Sequence, residues 1–328
     1  MTIRIRPLLA AALLACAASG YPAAAAHGPV ALQTDPFAIE EVAENGLVAA
    51  FMTPTSVGLH PAIVVLGGSE GGTDLVRGVG LEFARQGYAV LALSYFGAPG
   101  LPPTAEEIPL EYFDRAIAWL ARQPEVDPAR MGIFGISKGG EAALLVGSRS
   151  PQLRAVAAGV PSNLVWQGIP ARFDAPPTST WSLRGVPTPY LPYDPTVRFD
   201  FTRYMESVYA LYAGALPMAE AHSDAIIPVE RINGPVLLIS GMDDAMWPSS
   251  AMSDMVVARL QAKGFGHPVE HLAYADAGHA VSSPPALPNT SGYPDEAAGG
   301  TAAGNAAGRA DMWRCLILFF DTAFGVAR

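Results

Sequence analysis

The chain has 328 residues, is 50% hydrophobic and carries a formal net charge of −10, from 20 basic and 30 acidic side chains. This length and composition predict a globular chain of one large or two small domains, with enough apolar residues for a substantial core. The acidic balance argues against a nucleic-acid partner, because binding to phosphates needs a basic face.

The first 26 residues have the pattern of a secretory signal. Arg4 and Arg6 precede a short apolar segment, and three alanines at 24–26 offer a cleavage site. The apolar segment is too short to span a bilayer, so we expect no membrane-spanning helix in the mature chain. The run Leu13-Leu14-Ala15-Cys16 also resembles a bacterial lipoprotein signal. We therefore expect an exported protein, periplasmic or secreted, with a lipid anchor at Cys16 as the alternative.

Residues 27–328 are expected to form one α/β domain. Two alternating runs flank Asn45-Gly46, which predicts a hairpin at the edge of the main sheet. Continuous apolar segments at 61–66, 88–94, 131–136, 154–160, 236–240 and 269–274 then predict strands. Helical patterns separate these strands, for example at 74–86 and 105–122. Such alternation indicates a mostly parallel sheet with helices on both faces.

The alternation is interrupted between residues 161 and 231, where prolines and aromatic residues are interleaved. A disordered linker would be poor in aromatic residues. We interpret the segment as an ordered cap over the site, since long insertions on rigid scaffolds often carry binding functions. Trp166, Trp181 and Tyr190 are the predicted pocket residues of this cap. The alternative is an irregular loop packed on the scaffold.

A nucleophile is predicted at Ser137, within the run Gly135-Ile136-Ser137-Lys138-Gly139. This is the G-x-S-x-G pattern of a sharp turn between a strand and a helix, which lifts the serine hydroxyl above the sheet. By itself the pattern could be only a strand that ends in a glycine-rich turn. An apolar strand before it and an Ala/Leu-rich helical run after it favour the catalytic interpretation.

An acid and a base for Ser137 follow in the chain order Ser, Asp, His that is typical of α/β-hydrolases. Asp243 and Asp244 lie just beyond the predicted strand 236–240, at the edge where open α/β sheets build their sites. The spacing favours Asp244, and Asp243 would then cap a helix or brace the loop. His279 follows the last predicted strand and is the expected base, because an imidazole held by a carboxylate can take the serine proton.

Hydrogen-bond donors for the developing oxyanion are expected at two places. One is the backbone N–H of Lys138, directly after the nucleophile. The other comes from the glycine-rich loop 66–72, where the N–H of Gly68 or of Ser69 is the candidate. A phosphate-binding function of this loop is disfavoured because no Lys-Ser/Thr pair follows it. We expect no metal and no cofactor.

Several linked motifs resemble the acyl-CoA thioesterase and bile-acid-CoA:amino-acid N-acyltransferase family. They include the run from Gly135 to Glu141, Val160-Pro161-Ser162, the pair Asp243-Asp244 with Trp247-Pro248-Ser249, and Gly278-His279 with Pro284-Pro285. The resemblance covers most of the chain from about residue 61. It implies an α/β-hydrolase with Ser137, Asp244 and His279 as the catalytic triad.

The resemblance also bears on the reaction. Members that conjugate amino acids use cysteine as the nucleophile, so serine here implies hydrolysis of an acyl thioester or ester. Two departures matter. The β-sandwich domain that precedes the hydrolase domain in the animal members is not expected here, and coenzyme A is a cytoplasmic carrier whereas the signal pattern indicates export. The alternatives are therefore an exported carboxylesterase or acyltransferase on a substrate without coenzyme A, or a non-catalytic binding protein of the same fold.

Overall fold

A computed structural model describes residues 36–171, 175–287 and 295–327. The expected secretory signal, residues 1–26 with Cys16, lies outside these residues. Among the described helices, none is both long and apolar enough to cross a membrane.

The predicted hairpin is present at one edge of the sheet. Strands β1 (Phe37–Val42) and β2 (Val48–Pro54) pair antiparallel. The turn between them contains Asn45 and Gly46, with φ of 55° and 73°. Positive φ at two successive residues is the reason that Asn-Gly is favoured in such turns.

The main sheet has eight strands. Besides β1 and β2 they are β3 (His60–Leu66), β4 (Ala89–Ser94), β6 (Val126–Ile136), β7 (Leu153–Gly159), β10 (Val236–Gly241) and β11 (Val269–Tyr274). Their order in the sheet is β1-β2-β4-β3-β6-β7-β10-β11, and from β4 to β11 each strand is parallel to the next one in this order. The helices are α1 (Asp74–Arg85), α2 (Leu110–Leu120), α3 (Lys138–Gly147), α4 (Tyr204–Ala215), α5 (Ser249–Ala262) and α6 (Ala302–Phe324).

Helices cover both faces of the sheet, which explains why its central strands are apolar without alternation. Val65 of β3 packs on one face in a cluster with Phe83 of α1 and Phe320 of α6. Its neighbour Val64 packs on the other face in a cluster with Phe113 of α2. Successive side chains of a strand point to opposite faces, so both must be apolar when both faces are buried.

The predicted helix at 105–122 is shorter than expected and begins at Leu110. Proline restricts the residue before it to extended conformations, and Ile108 precedes Pro109. These two residues form the short strand β5 (Ile108–Pro109), which pairs with β8 (Trp181–Leu183) in a separate three-stranded sheet completed by β9 (Val186–Pro187).

The segment 161–231, called the insertion below, lies between β7 and β10 and includes β8, β9 and α4. Its described part has a small apolar core of its own. Leu164, Trp166, Leu191 and Tyr212 are buried there together with Trp247 from the loop after β10. The insertion is therefore packed against the loop that carries Asp244. Its role as a cap over the substrate remains a prediction.

Candidate active site

Ser137 lies in a sharp turn between β6 and α3, as the motif predicts. Its φ of 59° and ψ of −118° are unusual for a residue with a side chain, and such a conformation costs on the order of 1–3 kcal/mol. The turn is held by the Ser137 N–H, which donates to the carbonyl of Gly159 at 2.8 Å. The carbonyl of Ser137 accepts the N–H of Gly140, also at 2.8 Å.

The two glycines of the motif are needed because backbones approach each other closely on both sides of the serine. A Cβ on Gly135 would lie 1.9 Å from the carbonyl oxygen of Gly139. A Cβ on Gly139 would lie 2.2 Å from the carbonyl oxygen of Gly67, in the loop after β3. Real Cβ atoms do not come so close to a backbone oxygen, so each position requires glycine. Gly135 thus keeps the turn tight, and Gly139 brings it against the candidate oxyanion loop.

A chain of hydrogen bonds joins the three predicted catalytic side chains. His279 Nε2 lies 2.9 Å from Ser137 Oγ, and His279 Nδ1 lies 2.8 Å from Asp244 Oδ2. Ser137 follows β6, Asp244 follows β10 and His279 follows β11, so three strand ends converge on one edge of the sheet. The arrangement can deprotonate the serine hydroxyl and stabilise the imidazolium that results.

The structure distinguishes the two adjacent aspartates. Asp244 is 7% exposed, whereas Asp243 is exposed. Besides the imidazole, Asp244 Oδ2 accepts the hydroxyl of Ser249 at 2.6 Å. Its Oδ1 accepts two backbone N–H groups, from Met246 at 2.9 Å and Trp247 at 3.3 Å. Asp244 is thus the carboxylate that orients His279, as the spacing of the loop predicts.

The expected oxyanion donors differ in availability. The N–H of Gly68 donates to Glu70 Oε1 at 2.8 Å, so it is engaged. In the part of the chain that the structure describes, the N–H groups of Lys138 and Ser69 donate to no acceptor. Ser69 and Lys138 both border the cavity beside Ser137. Of the two candidates in the loop, the geometry therefore favours Ser69.

Glu70 also belongs to this loop, and no role was predicted for it from the sequence. Desolvation of its carboxyl raises the pKa, and the N–H of Gly68 and the charge of His279 act in the opposite direction. Its oxygens also lie close to Gly67 and Gly68, where an added Cβ would meet them at 2.7 Å and 2.8 Å. Glu70 thus braces the loop that offers the second oxyanion donor.

A cavity of about 140 Å³ opens beside Ser137 and His279. This volume resembles that of an apolar cavity of about 150 Å³ that holds benzene in another protein. More than half of the lining side chains come from the insertion: Ile169, Pro170, Tyr193, Phe199, Tyr204, Val208, Leu211 and Tyr212. The cavity can hold a short acyl group of about six carbon atoms.

The three residues predicted to form the pocket do not line this cavity, and the structure corrects that prediction. Trp166 and Trp181 are fully buried and do not border the cavity. Both contact Glu141, whose Oε1 accepts the indole N–H of Trp181 and the backbone N–H of Trp166. Tyr190 instead donates its hydroxyl to the carbonyl of Pro177 at 3.1 Å. The Trp181 indole thus ties the insertion to α3, whereas the Tyr190 hydroxyl bonds within the insertion.

Comparisons with known proteins identify the family to which this chain is similar. The family model described as "BAAT / Acyl-CoA thioester hydrolase C terminal" matches residues 108–325. Mitochondrial acyl-coenzyme A thioesterase 2 of Mus musculus is 31% identical over 290 residues, covering 87% of this chain and 60% of the relative. Acyl-coenzyme A thioesterase 1 of Homo sapiens is 30% identical over 294 residues, covering 87% and 65%. The chain thus spans about 60% of the length of the relatives it matches.

Solved structures identify the fold. A dienelactone hydrolase-like promiscuous phosphotriesterase from metagenomic libraries aligns with a TM-score of 0.54 and 18% identity, over 88% of this chain and 100% of that one. The acylaminoacyl peptidase of Pyrococcus horikoshii aligns with a TM-score of 0.56 and 14% identity, over 90% and 43%. At such low identity the likeness concerns the fold alone. The predicted α/β-hydrolase fold is confirmed.

Proposed function

The chain belongs to the BAAT / acyl-CoA thioester hydrolase C-terminal family, and from that premise we propose that it is a serine hydrolase of acyl thioesters or esters. The observation that carries the proposal is the hydrogen-bond chain from Ser137 through His279 to Asp244, at the wall of a cavity sized for a short acyl group. The acyl-coenzyme A thioesterases among its relatives favour a thioester substrate.

Acylation begins when Ser137 Oγ attacks the carbonyl carbon of the substrate. His279 Nε2 takes the hydroxyl proton, and the carbonyl oxygen becomes an oxyanion. The N–H groups of Lys138 and Ser69 donate to that oxyanion, and one such donor is worth about 3–4 kcal/mol of the barrier. Collapse of the tetrahedral intermediate breaks the bond to sulfur or oxygen. His279 gives its proton to the leaving thiolate or alkoxide, and the acyl group stays on Ser137.

Deacylation repeats these steps with water. His279 takes a proton from the water molecule as its oxygen attacks the acyl-enzyme carbonyl. The second tetrahedral intermediate collapses by breaking the bond to Ser137 Oγ, which recovers its proton from His279. A carboxylic acid is released. Throughout, Asp244 keeps the Nδ1 proton on the imidazole and stabilises the imidazolium form.

Fluorophosphonate labelling tests the nucleophile, and the chain contains its own control. Ser240 Oγ lies 2.7 Å from His271 Nε2, and His271 Nδ1 lies 3.1 Å from Asp254 Oδ1. This second hydrogen-bond chain has the same residue types, but Ser240 is fully buried. We expect mass spectrometry to find the label on Ser137 and not on Ser240, and Ser137→Ala to abolish labelling. Labelling of neither serine would favour a non-catalytic binding protein.

The substrate is tested with matched acyl-CoA and p-nitrophenyl ester series of equal acyl length. Higher kcat/KM on the thioesters is expected from the relatives. Turnover of the esters with none of the CoA thioesters would favour the exported carboxylesterase. Added glycine or an alcohol distinguishes transfer from hydrolysis, because transfer would divert the product from the free acid.

We also propose that residues 1–26 export the protein. Charged residues, an apolar segment and small residues follow one another there in the order of a secretory signal. Expression of the full chain in a bacterial host, followed by fractionation and N-terminal sequencing, tests the proposal. A Cys16→Ser variant distinguishes a cleaved secretory signal from a lipid anchor. If Cys16 carries the anchor, the substitution should move the protein from the membrane fraction to the soluble fraction, whereas a cleaved secretory signal predicts no change.

A further inference from the structure

A buried ion pair lies in the first turn of α3, which begins directly after the nucleophile in the chain. Lys138 Nζ and Glu141 Oε2 are 2.8 Å apart, and the two side chains are 1% and 0% exposed. Burying two charges costs desolvation that a pair of apolar side chains would avoid, so a buried pair is weak evidence for stability. Its contacts point to another role.

Glu141 fastens the insertion to α3. One carboxylate oxygen accepts the indole N–H of Trp181 at 2.8 Å and the backbone N–H of Trp166 at 3.3 Å. The other oxygen accepts from Lys138. Both tryptophans belong to the insertion, whose side chains form much of the cavity wall. The single carboxylate therefore connects the nucleophile helix with the segment that shapes the acyl pocket.

Lys138 connects the same helix to the loop of the catalytic acid. Its ammonium lies 5.7 Å from the centre of the Trp247 ring and 3.4 Å from the hydroxyl of Thr180 in the insertion. Trp247 donates its backbone N–H to Asp244, and its ring centre lies 6.1 Å from that of His279. The backbone N–H of Lys138 is itself a proposed oxyanion donor. The residue that offers the oxyanion donor, Lys138, therefore has its side chain held in place by Glu141.

We propose that Glu141 and the Lys138 ammonium form a positioning pair, which holds the oxyanion donor of Lys138, the insertion and the Trp247 loop in register for transition-state stabilisation. This inference rests on the proposed hydrolase function. It assigns no contact between Glu141 and the substrate. Small misplacements of an oxyanion donor reduce kcat more than they change KM, because the donor acts where charge develops in the transition state.

The charges of the pair predict a pH dependence of kcat that a purely structural role in packing would not produce. Burial raises the pKa of Glu141, and the Lys138 ammonium acts against that rise. Among the residues that the structure describes, the other titratable groups that interact electrostatically with Glu141 are Tyr95, which follows β4, and Tyr193 and Tyr212 of the insertion. Without the ammonium the pKa of Glu141 rises further, and its carboxylate becomes an unpaired buried charge above that pKa.

The test compares Lys138→Met, Glu141→Gln and the double variant with the wild type over a range of pH. For Lys138→Met we expect kcat to fall by about ten- to a hundredfold with a smaller change in KM. The ratio of variant to wild-type kcat should rise as pH falls, because protonation of Glu141 removes the unpaired charge. The double variant carries no charge at either position and should recover at least part of the lost kcat, as a coupled pair requires.

A control variant breaks an ion pair elsewhere. Arg259 and Glu230 form a two-point pair at 2.6 Å and 2.8 Å, and neither residue borders the cavity. We expect Glu230→Gln to keep kcat within about twofold of the wild type at every pH. A pH-independent ratio for Lys138→Met, or no recovery in the double variant, would overturn the positioning role.

Thermal unfolding separates this inference from the proposed function. In Lys138→Met the raised pKa of Glu141 makes the folded state bind a proton more tightly than the unfolded state, whose reference value is 4.5. Relative to the double variant, the stability of Lys138→Met should therefore be highest at low pH and decline as pH rises from about that value. Suppose that the wild type shows neither turnover nor labelling, but that Lys138→Met shows this decline in stability and the double variant does not. The hydrolase proposal then fails, while the coupling of the ion pair stands. Without the decline, the inference fails whatever the activity.

Discussion

Asp244→Asn provides the sharpest test of the hydrogen-bond chain at the site, because the structure dictates how the new amide must sit. Asp244 Oδ1 accepts the backbone N–H groups of Met246 and Trp247. An NH₂ group there would face two donors, so the carbonyl oxygen of asparagine must occupy that side. The NH₂ group then falls at the Oδ2 position and faces His279 Nδ1.

An NH₂ group in that place favours the wrong imidazole tautomer. Nδ1 must accept a hydrogen bond from it, which puts the ring proton on Nε2, opposite Ser137 Oγ. The histidine can then no longer take the serine proton. The equivalent substitution in a serine protease lowers kcat by about 10⁴, which corresponds to about 5 kcal/mol of transition-state stabilisation. Ser249 can turn its hydroxyl to accept from the new amide, so the fold should survive.

Asp243→Asn is the matched control, since it makes the same change at the adjacent, exposed aspartate. We expect kcat/KM on a short-chain p-nitrophenyl ester to stay within about twofold of the wild type for Asp243→Asn and to fall by about 10³–10⁴ for Asp244→Asn. Circular dichroism melting shows whether both variants are folded. If a folded Asp244→Asn variant keeps activity within about tenfold of the wild type, or if the control loses as much, the assignment of the acid is refuted.

Three further predictions concern the pocket, the nucleophile turn and acid stability. The cavity of about 140 Å³ predicts that kcat/KM peaks at acyl chains of about six carbons or fewer, and Leu211→Ala, which widens the cavity, should move the peak to longer chains; an unchanged profile would place the acyl group elsewhere. Gly139→Ala puts a Cβ 2.2 Å from a backbone oxygen, whereas Gly266→Ala has no atom within 4 Å. In thermal or denaturant unfolding, only the first should lose more than about 2 kcal/mol of stability, and equal losses would contradict the packing. Burial lowers the pKa of His271 below 6.5, so the folded state resists its protonation and stability should decline as pH falls through that value. In His271→Gln the melting temperature should therefore depend less on pH in this range, and an unchanged dependence would mean that other groups cause the decline.

The insertion shows what sequence patterns can and cannot predict. Aromatic residues in a long segment correctly indicate an ordered structure, since burying them repays the entropy of ordering the chain. They do not indicate which ring faces a cavity. Trp166 and Trp181 turned out to be buried against Glu141, while Tyr193 and Tyr212 border the cavity. The insertion lacks a simple period, so no pattern separates its inner face from its outer face.

Glu141 could have been found from the sequence, but its role could not. Glutamate three residues after Lys138 on a predicted helix is a pattern that predicts an ion pair between neighbouring side chains. On an exposed helix such a pair would contribute little. Only the burial of both side chains and the contacts with Trp166 and Trp181 make it a candidate for positioning.

By itself the sequence determined the order of strands and helices along the chain, the nucleophile turn, and the candidates Ser137, Asp244 and His279, because local sterics and the apolar periodicity of strands and helices are written in neighbouring residues. The tertiary structure decided what depends on distant contacts. It brought the three side chains within hydrogen-bond distance, engaged the N–H of Gly68 with Glu70, and placed the side chains of the insertion around the cavity. These outcomes depend on how segments far apart in the chain pack together, which no local pattern records.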